Sequence, residues 1–162
     1  NLTYFYYNKI EIDKKDLKKI KYNKDIMHQS KLINYFNGNY SKSKIEKDLQ
    51  NFLKKIKKNK KYFFSKRDQI FLESLKSDGI EIPKKYDSLY EVNQSEIPSD
   101  IQVMINNNEK GAALLRIVEV IGQDNLDRID DDTIYFIIAT LNQLNIDQIR
   151  NEILLKVLPL KV

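Results

Sequence analysis

DDTIYFIIATLNQLNIDQIRNEILLKVLP, residues 131–159, is the stretch that decides the fold. Its spacing predicts two helices in succession. The first covers 131–144 and opens on Asp131 and Asp132, preceded by Asp130, and acids suit the positive end of a helix dipole. The second covers 147–158, where Ile149, Ile153, Leu154, Val157 and Leu158 fall on one face and Pro159 ends it.

The same helical period extends back toward the start. Residues 109–121 place Ala113, Leu114, Ile117, Val118 and Ile121 together, and Gly122 is the stop. A short helix over 99–107 ends in Asn106, Asn107 and Asn108. Residues 80–98 hold Pro83 and Pro98 without a sustained period and read as a loop with room for one short turn. Over 66–78, Ser65 is the cap, Asp68 the third helical position and Gly79 the stop, with Ile70, Phe71, Ser74 and Leu75 on one face. Over 44–59, Ser43 and Glu46 have capping-box spacing, and Ile45, Leu49, Phe52, Leu53 and Ile56 form one stripe with lysines opposite. A first helix is expected over 24–37, with Asn23 as cap and Gly38 as stop. Strand signals are confined to the aromatic stretch 4–7 and the brief alternation 9–12. The expected fold is therefore all-α, with about seven helices in antiparallel pairs. Residues 1–22 form an extension, 23–79 a basic helical part, 80–98 an irregular linker and 99–162 an acidic helical part, together one continuous unit.

Gly38, Gly79 and Gly122 lie 41 and 43 residues apart. A period of about 40 to 47 residues is that of helix-pair solenoids. The expected arrangement is an α-α superhelix, with an irregular helical bundle as the alternative. The segment GAALLRIVEVIGQDNLDRIDDDTIYFIIATLNQLNIDQIRNEILLKVLP, residues 111–159, resembles the terminal helical hairpins of uncharacterised bacterial α-helical repeat proteins of the HEAT-like kind. The resemblance rests on helix length and apolar pattern. It implies a solenoid end and no activity.

At 162 residues the chain is long enough to bury roughly two-thirds of its unfolded surface. It has no cysteine, which excludes disulfides and thiolate metal sites and suits either a cytosol or a bacterial envelope. No apolar run approaches the roughly 18 residues of a membrane span. The chain reads as soluble, and Asn1 in place of Met marks a processed protein or a fragment. Lys, Ile, Asn and Tyr supply 24, 22, 16 and 10 residues. All four have AT-rich codons, so base bias accounts for part of the net charge of +5. The charge is unevenly laid out. Residues 1–80 carry 20 Lys and Arg against 9 Asp and Glu, and residues 81–162 carry 8 against 14. In a solenoid that would make a dipolar rod, suited to steering a partner or to end-to-end docking.

Motifs for chemistry are absent: no phosphate loop, no dinucleotide fingerprint, no nucleophile elbow and no zinc-protease motif. His28 stands alone and reads as packing rather than as a base. Asp124, Asp127, Asp130, Asp131 and Asp132 lack the calcium-loop pattern, and the last three read as helix capping. Three glycosylation-type triplets begin at Asn1, Asn39 and Asn93 and are put down to the Asn-rich composition. No catalytic, cofactor or metal residues are assigned. The candidate contact is basic: Lys54, Lys55, Lys57, Lys58, Lys60 and Lys61, followed by Tyr62, Phe63 and Phe64. Lysines beside aromatics are the ingredients of phosphate contact and base stacking. The plainer reading makes the lysines a solvated helix face and the aromatics core. The expected function is a non-enzymatic scaffold that binds a protein partner or itself. The alternative is binding of nucleic acid or an anionic surface through those six lysines.

Overall fold

Among the described residues six α-helices carry the fold: α1 Lys42–Lys58, α2 Lys66–Ser77, α3 Ser99–Asn106, α4 Lys110–Ile121, α5 Asp131–Gln143 and α6 Asp147–Val157. Short 3-10 segments at Met27–Gln29, Lys31–Tyr35, Lys84–Leu89 and Leu126–Arg128 fill the connections. These come from a computed structural model that describes residues 20–89 and 97–159. The extended start expected before residue 20 and the triplets at Asn1 and Asn93 lie outside the described residues. Within them the chain is all-α, with no strand among the described elements.

Local chemistry fixes the helix ends. Ser65 accepts from the Asp68 amide at 3.1 Å, and the Asp68 carboxylate accepts from the Ser65 amide at 3.2 Å. This reciprocal box starts α2 where its sequence spacing places it. For α1 the expected cap moves. Ser41, not Ser43, accepts from the Lys44 amide, at 3.3 Å, and the helix begins at Lys42. Ser41→Ala is therefore expected to cost about 1 kcal/mol, with Ser43→Ala within about 0.5 kcal/mol of wild type; urea unfolding of the two variants checks the assignment.

The helix expected over 24–37 is replaced by the first two 3-10 segments. Ser30 is the cause. Its backbone is extended, its hydroxyl donates to the Met27 carbonyl at 2.7 Å, and the same oxygen accepts from the Leu32 amide at 3.3 Å. These side-chain bonds compete with an α-helical ladder. The His28 amide is also taken out of the ladder, donating to the Asp68 carboxylate at 3.1 Å.

Gly38, Gly79 and Gly122 all have positive φ. Gly38, however, follows a 3-10 segment rather than an α-helix. Gly79 closes α2 with bonds from its own amide to the Lys76 carbonyl and from the Ile80 amide to the Leu75 carbonyl, a turn needing the left-handed backbone that glycine adopts at least cost. Asn108 and Asn145 do the same after α3 and α5, at φ 57° and 53°. Helix stops are thus more numerous than the glycines, and their spacing is less regular than the glycine interval.

The principal interface joins α2 to α5. The two run side by side in the same direction. At their starts, Lys66 meets Asp132 at 3.2 Å and Arg67 meets Asp131 at 2.8 Å. At their ends, Asp78 and Asn142 both bond Arg150. Parallel neighbours need a long connection, and the α3–α4 hairpin lies within it. Helix α6 turns back onto α5, and α1 packs against the 3-10 segments Lys31–Tyr35 and Lys84–Leu89. One core runs through these parts: Leu49 and Leu53 of α1, Ile70, Phe71 and Leu75 of α2, Ile134, Ile138 and Leu141 of α5, and Ile153 and Leu154 of α6. Each such side chain contributes about 1.5–3 kcal/mol on burial. Because α2 and α5 touch across the intervening hairpin, the basic and acidic halves meet at an interface. This packing does not confirm a solenoid.

Candidate functional site

The basic candidate lies at the tip where α1 passes into α2. Lys54, Lys55, Lys57 and Lys58 close α1, and all are exposed, as are Lys60 and Lys61 in the turn that follows. Cations in the last helical turn also offset the negative end of the dipole. Two of the six are engaged within the chain. Lys55 pairs with Asp25 at 2.7 Å, which holds that carboxyl below its ordinary range. Lys57 donates to the Lys85 carbonyl at 2.9 Å. That bond brings Lys84 and Lys85, both exposed, to the same end of the molecule. Lys57 and Lys85 both lie over the ring of buried Tyr86, at 5.6 and 5.1 Å. Lys54, Lys58, Lys60 and Lys61 have no ion pair among the described residues. No Asp or Glu occurs between Asp48 and Asp68.

The aromatic trio does not fill the core as a unit. Residues 62–64 lie between the two helices, and their exposure alternates: Tyr62 and Phe64 are half-buried and Phe63 is exposed. Tyr62 turns in: its ring meets Phe52 edge-on at 6.5 Å, and its hydroxyl donates to Asp68 at 2.9 Å and accepts from the Met27 amide at 3.0 Å. Burial pushes the Tyr62 phenol well above its ordinary value, with the Asp68 charge adding to the shift and the Met27 amide opposing it. Phe64 is half-buried and packs on the core. Phe63 points outward and is 84% exposed. It corrects the expectation that all three rings are interior.

No protein-family model, curated protein or solved structure matches the chain.

His28 is buried, as the packing reading expects, but its partners come from far along the sequence. Its Nδ1 lies 2.7 Å from Asp68 Oδ1, and Asp68 is 1% exposed. Asp68 thus accepts from the His28 amide, the Tyr62 hydroxyl and the Ser65 amide, and contacts the His28 ring as well. The Ser65 hydroxyl accepts from the Asp68 amide as the helix cap. The arrangement ties the 3-10 segment, the tip and α2 together. A second hub is Arg150, fully buried on α6. Its guanidinium pairs with Asp78 at 2.8 Å and Asp147 at 3.2 Å and donates to Asn142 and Asn151. Burial, aided by Asp78, raises the nearby Tyr35 phenol to about 12.

The acids before and within α5 are largely accounted for by structure. Asp130 caps the helix through the Thr133 amide and hydroxyl at 2.9 and 2.7 Å, and the same bonds depress its carboxyl. Asp131 and Asp132 hold Arg67 and Lys66. Among the described residues no cluster of three or more His, Asp or Glu has the arrangement to hold a metal ion. No helix among them is long and apolar enough to cross a membrane.

Proposed function

We propose that the chain is a non-catalytic helical interaction module that docks an anionic partner through the α1–α2 tip. The observation that carries this is the acid-free stretch 49–67, with exposed lysines Lys54, Lys58, Lys60 and Lys61 around the end of α1, where Lys57 also bonds the Lys85 carbonyl next to exposed Lys84. Lys66 and Arg67 belong to the same stretch but are directed to Asp132 and Asp131 of α5. The tip therefore keeps its charge for solvent, while the neighbouring cations hold the core together. A surface of one sign raises the local concentration of opposite charge and speeds encounter.

Binding of heparin at low ionic strength tests the reading. Affinity is expected to fall steeply as salt rises, and the combined Lys58→Glu, Lys60→Glu and Lys61→Glu chain is expected to lose it. Salt-insensitive binding, or none, overturns the proposal. The protein-partner reading draws on a different place: Val103 on α3 and Leu115 and Val120 on α4 are exposed apolar side chains. If that surface self-associates, native mass across a concentration series shows dimers that Val103→Asp and Leu115→Asp remove.

A further inference from the structure

We infer that the anionic partner of the tip is a lipid bilayer surface, with Phe63 entering the headgroup–acyl boundary and the surrounding lysines resting on acidic headgroups. This rests on the reading of the tip as an anionic docking site. It adds a role for the one large apolar residue that the tip turns outward.

Phe63 is the most exposed large apolar side chain among the described residues, at 84%. A loose loop is a poor explanation for that, because its neighbours on both sides are fastened. The Tyr62 amide donates to the Asn59 carbonyl at 2.9 Å, the Lys61 amide to the Asn59 side chain at 3.1 Å, and the Tyr62 hydroxyl to Asp68. On the other side Ser65 is locked into the α2 capping box. Between these anchors the side chain of Phe63 is left outside the packing of both helices. The residue is thus held at a fixed place on the surface by its neighbours, so less backbone has to be ordered on binding.

The chemistry around the ring selects the partner. Lys60 and Lys61 precede it in the turn, Lys58 and Lys54 lie on the adjoining helix end, and Asp25, the carboxylate that reaches this end, is paired with Lys55. An apolar tip among lysines matches a bilayer interface, where acyl chains lie just beneath negative headgroups. Single-stranded nucleic acid asks for something else: a basic groove with several ring faces on which successive bases stack. Here only one ring is offered. Tyr62 is packed edge-on against Phe52 with its hydroxyl bonded, and Phe64 is half-buried.

The chain has no Trp, so Phe63→Trp installs a single reporter at the tip. With phosphatidylcholine vesicles containing phosphatidylserine, that chain is expected to sediment with the vesicles and its emission to shift to the blue. Vesicles of phosphatidylcholine alone are expected to leave both unchanged. Phe63→Ala, at an exposed position that the fold does not use, is expected to weaken vesicle binding by roughly ten- to a hundred-fold while leaving heparin binding intact. Lys60→Glu with Lys61→Glu is expected to weaken both. Heparin or oligonucleotide binding without vesicle binding overturns the lipid inference and leaves the anionic docking site standing. Equal vesicle binding by Phe63→Ala, or no emission shift, overturns the insertion of Phe63. Failure of every anionic probe overturns both readings.

Discussion

Arg150→Ala is expected to lower the unfolding free energy by about 3–5 kcal/mol, read as a shift of the urea midpoint with the slope unchanged. Arg150 is the largest fully buried side chain of the described residues, and its partners come from three elements. Asp78 follows α2, Asn142 lies in the last turn of α5, and Asp147 and Asn151 share α6 with it. The ring of Phe36 lies 5.9 Å from the guanidinium carbon. Removing the guanidinium leaves the Asp78 carboxylate, 14% exposed, and two half-buried side-chain amides without their shared donor. Arg150→Lys keeps the charge but loses the planar fork, so it should recover only part of the stability. Arg150→Met combined with Asp78→Asn should cost less than Arg150→Ala, because the carboxylate still left without its partner, Asp147, is 57% exposed and stays hydrated. A loss below about 1 kcal/mol for Arg150→Ala would falsify the hub, since exposed ion pairs already reach that size.

Asp68→Ala should produce the second large effect, about 3–4 kcal/mol. Each buried donor left without an acceptor costs about 1–3 kcal/mol, and the capping box is lost with it. The contributions do not simply add, because His28, Tyr62 and Ser65 share the one carboxylate. Asp68→Asn keeps an acceptor but turns an NH2 group toward donors, and an intermediate loss is expected. A double-mutant cycle of Asp68→Asn with Tyr62→Phe should give a coupling above about 0.5 kcal/mol. Additive effects would show that the two side chains stabilise the tip separately.

Much of the helical content is legible in local sequence, and the exceptions have identifiable causes. Helices α2, α5 and α6 keep their expected starts because Ser65 and Asp68, the acids at 130–132 and Asp147 are local signals. The segment 24–37 misleads because its apolar spacing is helical while Ser30 bonds the backbone on both sides. Arg150 sits in the apolar stripe of its helix with Ile146, Ile153 and Val157, at spacings of four, three and four. A charge at such a position is the pattern of a buried, fully paired cation, though its chief partner, Asp78, is 72 residues away. The lysines of the tip are plain in the sequence. The outward turn of Phe63 is not, because it depends on how Tyr62 and Ser65 on either side are anchored to Asp68. Nor is the arrival of Lys84 and Lys85, which follows from a contact between α1 and a 3-10 segment.

The pairing of α2 with α5 sets an order of events during synthesis. When α2 leaves the ribosome, α5, which forms its principal interface, and Arg150, which pairs with Asp78, have yet to be translated. The α1–α2 unit can close its turn and its His28–Asp68 bond early, since those partners lie within 40 residues. Its remaining apolar face must wait for α5 and α6. Contacts of such long sequence separation slow folding, and apolar surface exposed in the interval invites aggregation. Nascent chains halted before residue 131 should therefore be held by chaperones and cut readily by proteases. Release of the last helix should end that exposure in one cooperative step.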